Sequence, residues 1–185
     1  MDITSRGMPL MRRSELKAFL SERAEAGKWT VTAHEFNQAF PASDLVQRVM
    51  LSRHVKAGLI SRLSPGIFLN NDALALGRVT LQGLAGMLRP HDDCYISLDA
   101  ALHMHGRLVS MPSVVTVMTT GRRYLFDTPL GVVQFIRSKR DPSTWKRDLS
   151  DVQVNGIPVA SVRLALDDYV RVGQTPPELG LSVPC

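Results

Sequence analysis

Residues 30–70, TVTAHEFNQAFPASDLVQRVMLSRHVKAGLISRLSPGIFLN, hold two short helical patterns, a proline break, a glycine stop and a small apolar hairpin. Thr32 is placed to cap the first helix, with Glu35 three residues on as its capping-box partner. Phe36, Ala39 and Phe40 supply its apolar face. Pro41 ends it, because proline has no N–H to give and its ring clashes with the preceding turn. Ser43 caps a second helix from Asp44 to about Ala57, and Gly58 stops it. Leu59 to Leu63 and Ile67 to Leu69 are short apolar runs around Ser64-Pro65-Gly66, a hairpin turn. Helix, break, helix and hairpin in this order predict a winged helix-turn-helix, the arrangement that braces one helix for entry into a DNA major groove.

On the second helix, helical spacing turns Val46, Val49, Met50 and Ala57 inward, with the Arg53 stem packed beside them and its head reaching out. Gln47, Arg48, Leu51, Ser52 and Lys56 then face outward or to the side, and the apolar Leu51 and Val55 are free to meet thymine methyls, a partner protein or the rest of the chain. Gln47 and Arg48 are the best base readers, since Gln matches adenine and Arg matches guanine in bidentate fashion. Lys56 and Arg62 hold phosphates, and Ser43, Ser52, Arg53 and Ser64 complete the candidate DNA-facing set. The competing reading is a helical domain with an ordinary solvated charged face.

Before this core, Ser14 caps a helix through about Ala26, with Leu16, Phe19, Leu20 and Ala24 as its inner face, and residues 1–11 are expected to fray. Asn70-Asn71-Asp72 is a polar break, giving a first domain of residues 1–72 and a mixed α/β domain of residues 73–185. In the second, Thr80 to Leu88 reads as a helix ended by Pro90, and Tyr95-Ile96 as an extended piece. Ser97 caps a helix stopped by Gly106. Val114 to Met118, Arg122 to Phe126 and Val132 to Arg137 read as strands, and Asn155-Gly156 as a hairpin turn over Val152 to Val159. Ser161 to Val172 is a last helix, and an extended tail follows from about Gly173. The whole is an α+β chain.

The 185 residues suffice for two small cores, and the net charge of +5 suits an acidic partner. Residues 122–147 carry seven basic residues against Asp127 and Asp141. Arg122, Arg123, Arg137, Lys139 and Arg140, with Tyr124 and Phe126, therefore form a possible second basic surface for nucleic acid or for blocking a toxin. The alternative there is a basic hairpin with one side in the core. Two cysteines, Cys94 and Cys185, make a disulfide framework improbable. With no signal-peptide core and no membrane-length apolar run, a cytoplasmic location is expected.

The second domain resembles the AbiEi family of antitoxins in three places. These are Tyr95 to Gly106 (YISLDAALHMHG), Thr116 to Arg123 (TVMTTGRR) and Thr128-Pro-Leu-Gly131. The hairpin segment GLISRLSPGIF of residues 58–68 resembles the family's wing. In family order the likeness spans roughly residues 14–172. The last helix departs from it: Ser161 to Asp168 (SVRLALDD) keeps Ala-Leu-Asp and lacks the usual Pro-Glu. The resemblance implies a type IV toxin–antitoxin repressor whose winged helix binds inverted repeats of double-stranded promoter DNA, pairing there as monomers. It also implies a C-terminal domain that counters a nucleotidyltransferase-like toxin without needing a stable complex. DNA contact maps to the 43–56 helix and the 62–66 wing, and antitoxicity to the chain after residue 73. A stand-alone winged-helix transcription factor without a toxin partner is the alternative.

No catalytic constellation, cofactor motif or metal site is predicted. His103 and His105 stand two apart on a helix and point apart, and with His91 and Cys94 they match no common zinc spacing. Asp92-Asp93 and Asp167-Asp168 would have to converge in a pocket for a metal-dependent nuclease, the enzymatic alternative. No Walker or dinucleotide glycine pattern occurs.

Overall fold

The computed structural model describes residues 11–89 and 92–179. The expected fraying of residues 1–10 and the helix stop at Pro90 lie outside these. The chain divides into two compact units, Met1–Val79 and Thr80–Cys185, so the division falls after Val79 rather than after Asp72. Both units mix helices with a sheet.

The first unit runs α1 (Arg13–Glu25), β1 (Thr30–Thr32), α2 (Ala33–Ala39), α3 (Asp44–Lys56), β2 (Ile60–Ser64), β3 (Ile67–Asn70) and α4 (Asn71–Ala75). Its antiparallel sheet has the order β1-β3-β2. Ser14 lies inside α1; the N-terminal cap is at Arg12, whose N–H donates to Glu15 Oε2 at 2.7 Å. Met11, expected in the frayed start, is buried and its N–H points at the Met50 sulfur, 3.3 Å away. Leu16, Leu20, Val31, Phe36, Met50, Leu51, Ile60 and Phe68 form one core. Phe19, Phe36, Phe40 and Phe68 stack within it at tilted or edge-on angles, with centroids 5.4 to 5.9 Å apart. Ala39, expected on the apolar face of α2, is exposed.

The expected polar break at Asn70 is a junction instead. Asn70 is buried; its side-chain oxygen accepts from the N–H groups of Asp72 and Ala73 and caps α4, while its amide donates to Leu20 O at 3.1 Å. One side chain thus ties the end of the hairpin to α1. Turn chemistry and cap chemistry use the same residue types, which is why a helix start reads as a loop.

The second unit runs α5 (Leu81–Leu88), β4 (Cys94–Ser97), α6 (Leu98–Met104), β5 (Val114–Thr119), β6 (Tyr124–Thr128), β7 (Gly131–Arg137), α7 (Pro142–Trp145), β8 (Leu149–Val154), β9 (Ile157–Ala160) and α8 (Val162–Val172). A single 3-10 turn, Lys146–Asp148, joins α7 to β8. The six strands form one mixed sheet of order β6-β7-β5-β4-β9-β8, with β5/β7 and β4/β9 parallel. Asn155 and Gly156 both take positive φ, +48° and +80°, as the tight β8–β9 hairpin requires. Along β7, Val133 and Phe135 are buried while Gln134 and Ile136 are half-exposed on the opposite face. Arg122 and Arg123, expected in a strand, lie in the turn that precedes β6.

Candidate nucleic-acid interface

The Thr32–Glu35 box closes in both directions: Glu35 N–H donates to Thr32 Oγ1 at 3.1 Å, and Thr32 N–H donates to Glu35 Oε2 at 2.8 Å. Arg23 of α1 donates to Glu35 Oε1 at 2.8 Å and to Thr30 O at 3.0 Å, so the start of α2 is fixed to α1. Burial pushes the Glu35 carboxyl up, but the hydrogen bonds from Thr32 and Arg23 outweigh it and leave the group below its ordinary range.

The start of α2 in turn holds the hairpin and α3. Ala33 N–H donates to Gly66 O at 2.8 Å, and Ala33 O accepts from Gln47 Nε2 at 2.6 Å. Hairpin tip, α2 and α3 are thereby linked through one backbone unit. Ala42 N–H donates to the Asn37 side chain at 3.2 Å and fixes the α2–α3 connection. At the far end of α3, Gly58 takes φ +70°, the left-handed conformation that ends the helix.

Between α3 and the hairpin lies an open groove of about 370 Å³. Its walls are Ala33, Asp44, Gln47, Arg48, Arg62, Pro65 and Gly66, and Leu51 and Phe68 form its floor. The Arg62 guanidinium sits 5.5 Å from the Phe68 ring centroid, which aligns it along the groove.

The rotation of α3 differs from expectation. Leu51 is buried at 4% exposure and Val55 is half-buried, whereas Val49 is 41% exposed and Ala57 and Arg53 are also exposed. His54 is the polar member of the inner face; burial depresses its pKa, opposed by a hydrogen bond with the Met11 backbone. The outer face is Leu45, Arg48, Val49, Ser52, Arg53 and Lys56. Apolar side chains occur all round α3, so periodicity alone could not orient it. The exposed apolar pair of α3 is therefore Leu45 and Val49, while Leu51 and Val55 meet the rest of the chain, the third of the roles open to them.

Of the residues expected to meet DNA, Arg48, Ser52, Arg53, Lys56 and Arg62 are exposed at this surface or rim, with Ser43 at the N-terminal end of α3 and Ser64 half-buried at the end of β2. Ser43 makes no side-chain capping bond. Gln47 is half-buried and committed through its NH₂ to Ala33, leaving its amide oxygen for other contacts. Among the described residues, no carboxylate pairs with Arg48, Arg53, Lys56 or Arg62.

The second basic surface gathers elsewhere. Arg123, Arg137, Lys139 and Arg140 line a groove of about 600 Å³ together with Arg171 from the end of α8, which lies outside the basic stretch of residues 122–147. Arg122 is not part of it; its carbonyl accepts from Arg89. Arg140 pairs with Asp167 and lies 3.8 Å from Asp168. Asp168 is wholly buried and accepts from Ser97 Oγ at 2.7 Å and Tyr95 OH at 3.0 Å. Burial drives its pKa up, against the pull of these two donors and of Arg140 and Arg171. Burial and the Asp168 charge likewise push the Tyr95 hydroxyl far above its ordinary value.

The remaining candidate chemical groups have separate structural engagements. His103 Nδ1 bonds Leu108 O at 3.0 Å and His105 Nε2 bonds Ala160 O at 2.8 Å, on different segments; His91 lies outside the described residues. Asp92 pairs with Arg89, and Asp93 with Lys146. Burial, with Asp92 and Asp93 nearby, raises the Cys94 thiol to about 11, so it is protonated at neutral pH. Among the described residues no helix is long and apolar enough to cross a membrane.

No protein-family model matches the chain, and a search of curated proteins returns no match either.

Proposed function

We propose that the chain is a DNA-binding transcriptional repressor and antitoxin of the AbiEi type, with the first unit serving as a winged helix-turn-helix. The observation that carries the DNA-binding reading is the groove between α3 and the β2–β3 hairpin. It is flanked by Arg48 and Arg62, and beside it α3 turns an unpaired basic face outward. A protruding helix fits a major groove, and a hairpin at its side can reach the neighbouring phosphates. Arg48 and the free amide oxygen of Gln47 read base edges, Leu45 and Val49 meet thymine methyls, and Arg53, Lys56 and Arg62 neutralise phosphates. The last turn of α3 also carries Arg53 and Lys56 near the negative end of the helix dipole, where cations are favoured.

The antitoxin part of the reading rests on the AbiEi-like segments of residues 95–106, 116–123 and 128–131. Autoregulation of the operon and opposition to a nucleotidyltransferase-like toxin follow from that resemblance.

Fluorescence anisotropy on the DNA upstream of the chain's own gene, against a scrambled duplex at two salt concentrations, tests the first part. Specific binding is expected to exceed nonspecific binding by at least about 10³ and to weaken with salt, because releasing counterions into a more concentrated solution gains less entropy. Equal weak binding to both duplexes would refute the repressor reading. Co-expression with the product of an adjacent toxin gene tests the second part: rescue of growth supports the antitoxin role, and its failure leaves a stand-alone regulator.

A further inference from the structure

We propose that the groove of the second unit is a binding site for a nucleoside polyphosphate. Three separate segments deliver cations to one cavity of about 600 Å³: Arg123 from the turn before β6, Arg137 and Lys139 from the end of β7, and Arg171 from the end of α8. Among the described residues, Arg123, Arg137 and Lys139 pair with no carboxylate. Arg171 is paired with Asp167 at 3.4 Å, whereas the other three like charges have no counter-ion and repel one another, and an anion seated among them relieves that repulsion.

The groove is not cationic throughout. Met118, Ile136 and Val172 line it as well, and Gln134 and Gln174 add amide groups. An apolar lining with a few polar groups and a charged rim is the composition of small-molecule sites, and the volume lies in their range. The three unpaired cations match a triphosphate, the apolar side chains suit the face of a base, and the amides can pair with its edge. Arg140 is already held by Asp167 and Asp168 and is only 13% exposed, so its charge is offset and it serves as a fixed wall of the groove, leaving Arg123, Arg137 and Lys139 to meet the phosphates.

This site lies beyond the DNA-binding reading and does not depend on it. Isothermal titration of the full chain at low salt with ATP, GTP, inorganic tripolyphosphate and a short single-stranded oligonucleotide tests it. One nucleotide per chain is expected, bound at least tenfold more tightly than tripolyphosphate. At least tenfold should be lost in Arg137→Gln/Lys139→Gln and none in Arg48→Ala. Should the double variant melt early, Arg123→Gln on another segment carries the same expectation. The proposal is overturned if neither nucleotide binds, if tripolyphosphate binds as well as both, if binding is lost in Arg48→Ala, or if the oligonucleotide outcompetes both mononucleotides at this groove.

Discussion

The two cationic surfaces of this chain are built in opposite ways. In the first unit, neutral hydrogen bonds from Gly66 through Ala33 to Gln47 set the spacing of hairpin and helix, and among the described residues the exposed basic side chains of α3 stand in no ion pair, although Asp44 lies one turn before Arg48. In the second, the cations surround a hollow, and its innermost arginine is clamped by Asp167 and the buried Asp168. A projecting surface suits a duplex groove, and a hollow suits a small anion. Similar local charge therefore carries no information about the ligand until shape is known, because Coulomb attraction is non-specific and geometry supplies the selection.

The largest expected effect breaks the second surface. Asp168→Ala removes the acceptor of Tyr95 and Ser97 and leaves Arg140 without its buried partner. A loss of about 3 kcal/mol in the stability of the second unit follows. The chain has two tryptophans, Trp29 in the first unit and Trp145 in the second, so denaturation of a Trp29→Phe background by fluorescence isolates the loss. A change below about 0.5 kcal/mol would mean that the buried carboxylate is not structural.

Next, Arg48→Ala is expected to weaken operator binding by roughly 1–3 kcal/mol and to relax specificity at one base pair, whereas Lys56→Ala weakens all sequences alike and flattens the salt slope by about one unit. Competition anisotropy on single-base operator variants separates the two. Identical behaviour of both variants would remove the distinction between base reader and phosphate anchor.

Thr32→Ala opens the capping box at the residue pair that orients α2 against the hairpin. About 1 kcal/mol of the first unit's stability should be lost, read by Trp29 fluorescence in a Trp145→Phe background. Thr32→Ser should restore most of it.

The smallest effect is one of sign. His54 has a lowered pKa in the folded chain, so its contribution is intact above 6.5 and is lost as the pH falls below that value; Glu35, also lowered, adds a further loss below 4.5. Asp168 is raised, so the cost of its buried charge is relieved as the pH falls through its elevated value. Acidification from neutral to mildly acid pH should therefore destabilise the first unit more than the second. Melting curves of the two single-tryptophan variants at a series of pH values check this, and His54→Gln should flatten the first curve between pH 7 and 5.

Local signals made much of the fold legible. Thr32 and Glu35, Pro41, Gly58 and Asn155-Gly156 act within a few residues of themselves, and each marks the boundary it was expected to mark. The rotation of α3 depends on tertiary packing, because His54 is buried while Val49 is exposed, against their intrinsic preferences. Asn70 hid a helix because a buried cap and an exposed turn share the same side chain. At the second surface, clustering in sequence identified Arg123, Arg137, Lys139 and Arg140, since neighbours along a strand and its flanking turns stay neighbours in space. Arg171 was out of reach, because only the packing of α8 on the sheet brings it to that groove. The burial of Asp168 was hidden for the same reason: its donors, Tyr95 and Ser97, lie more than seventy residues away in the chain.

Amide chemical-shift mapping of the full chain titrated with its upstream DNA decides whether α3 and its hairpin are the surface that meets the duplex. The largest shifts are expected on residues 44–56 and 62–66, with Arg48, Val49 and Ser52 foremost, and residues 123–140 should move little. Shifts concentrated on residues 123–140, with α3 unmoved, would contradict that assignment.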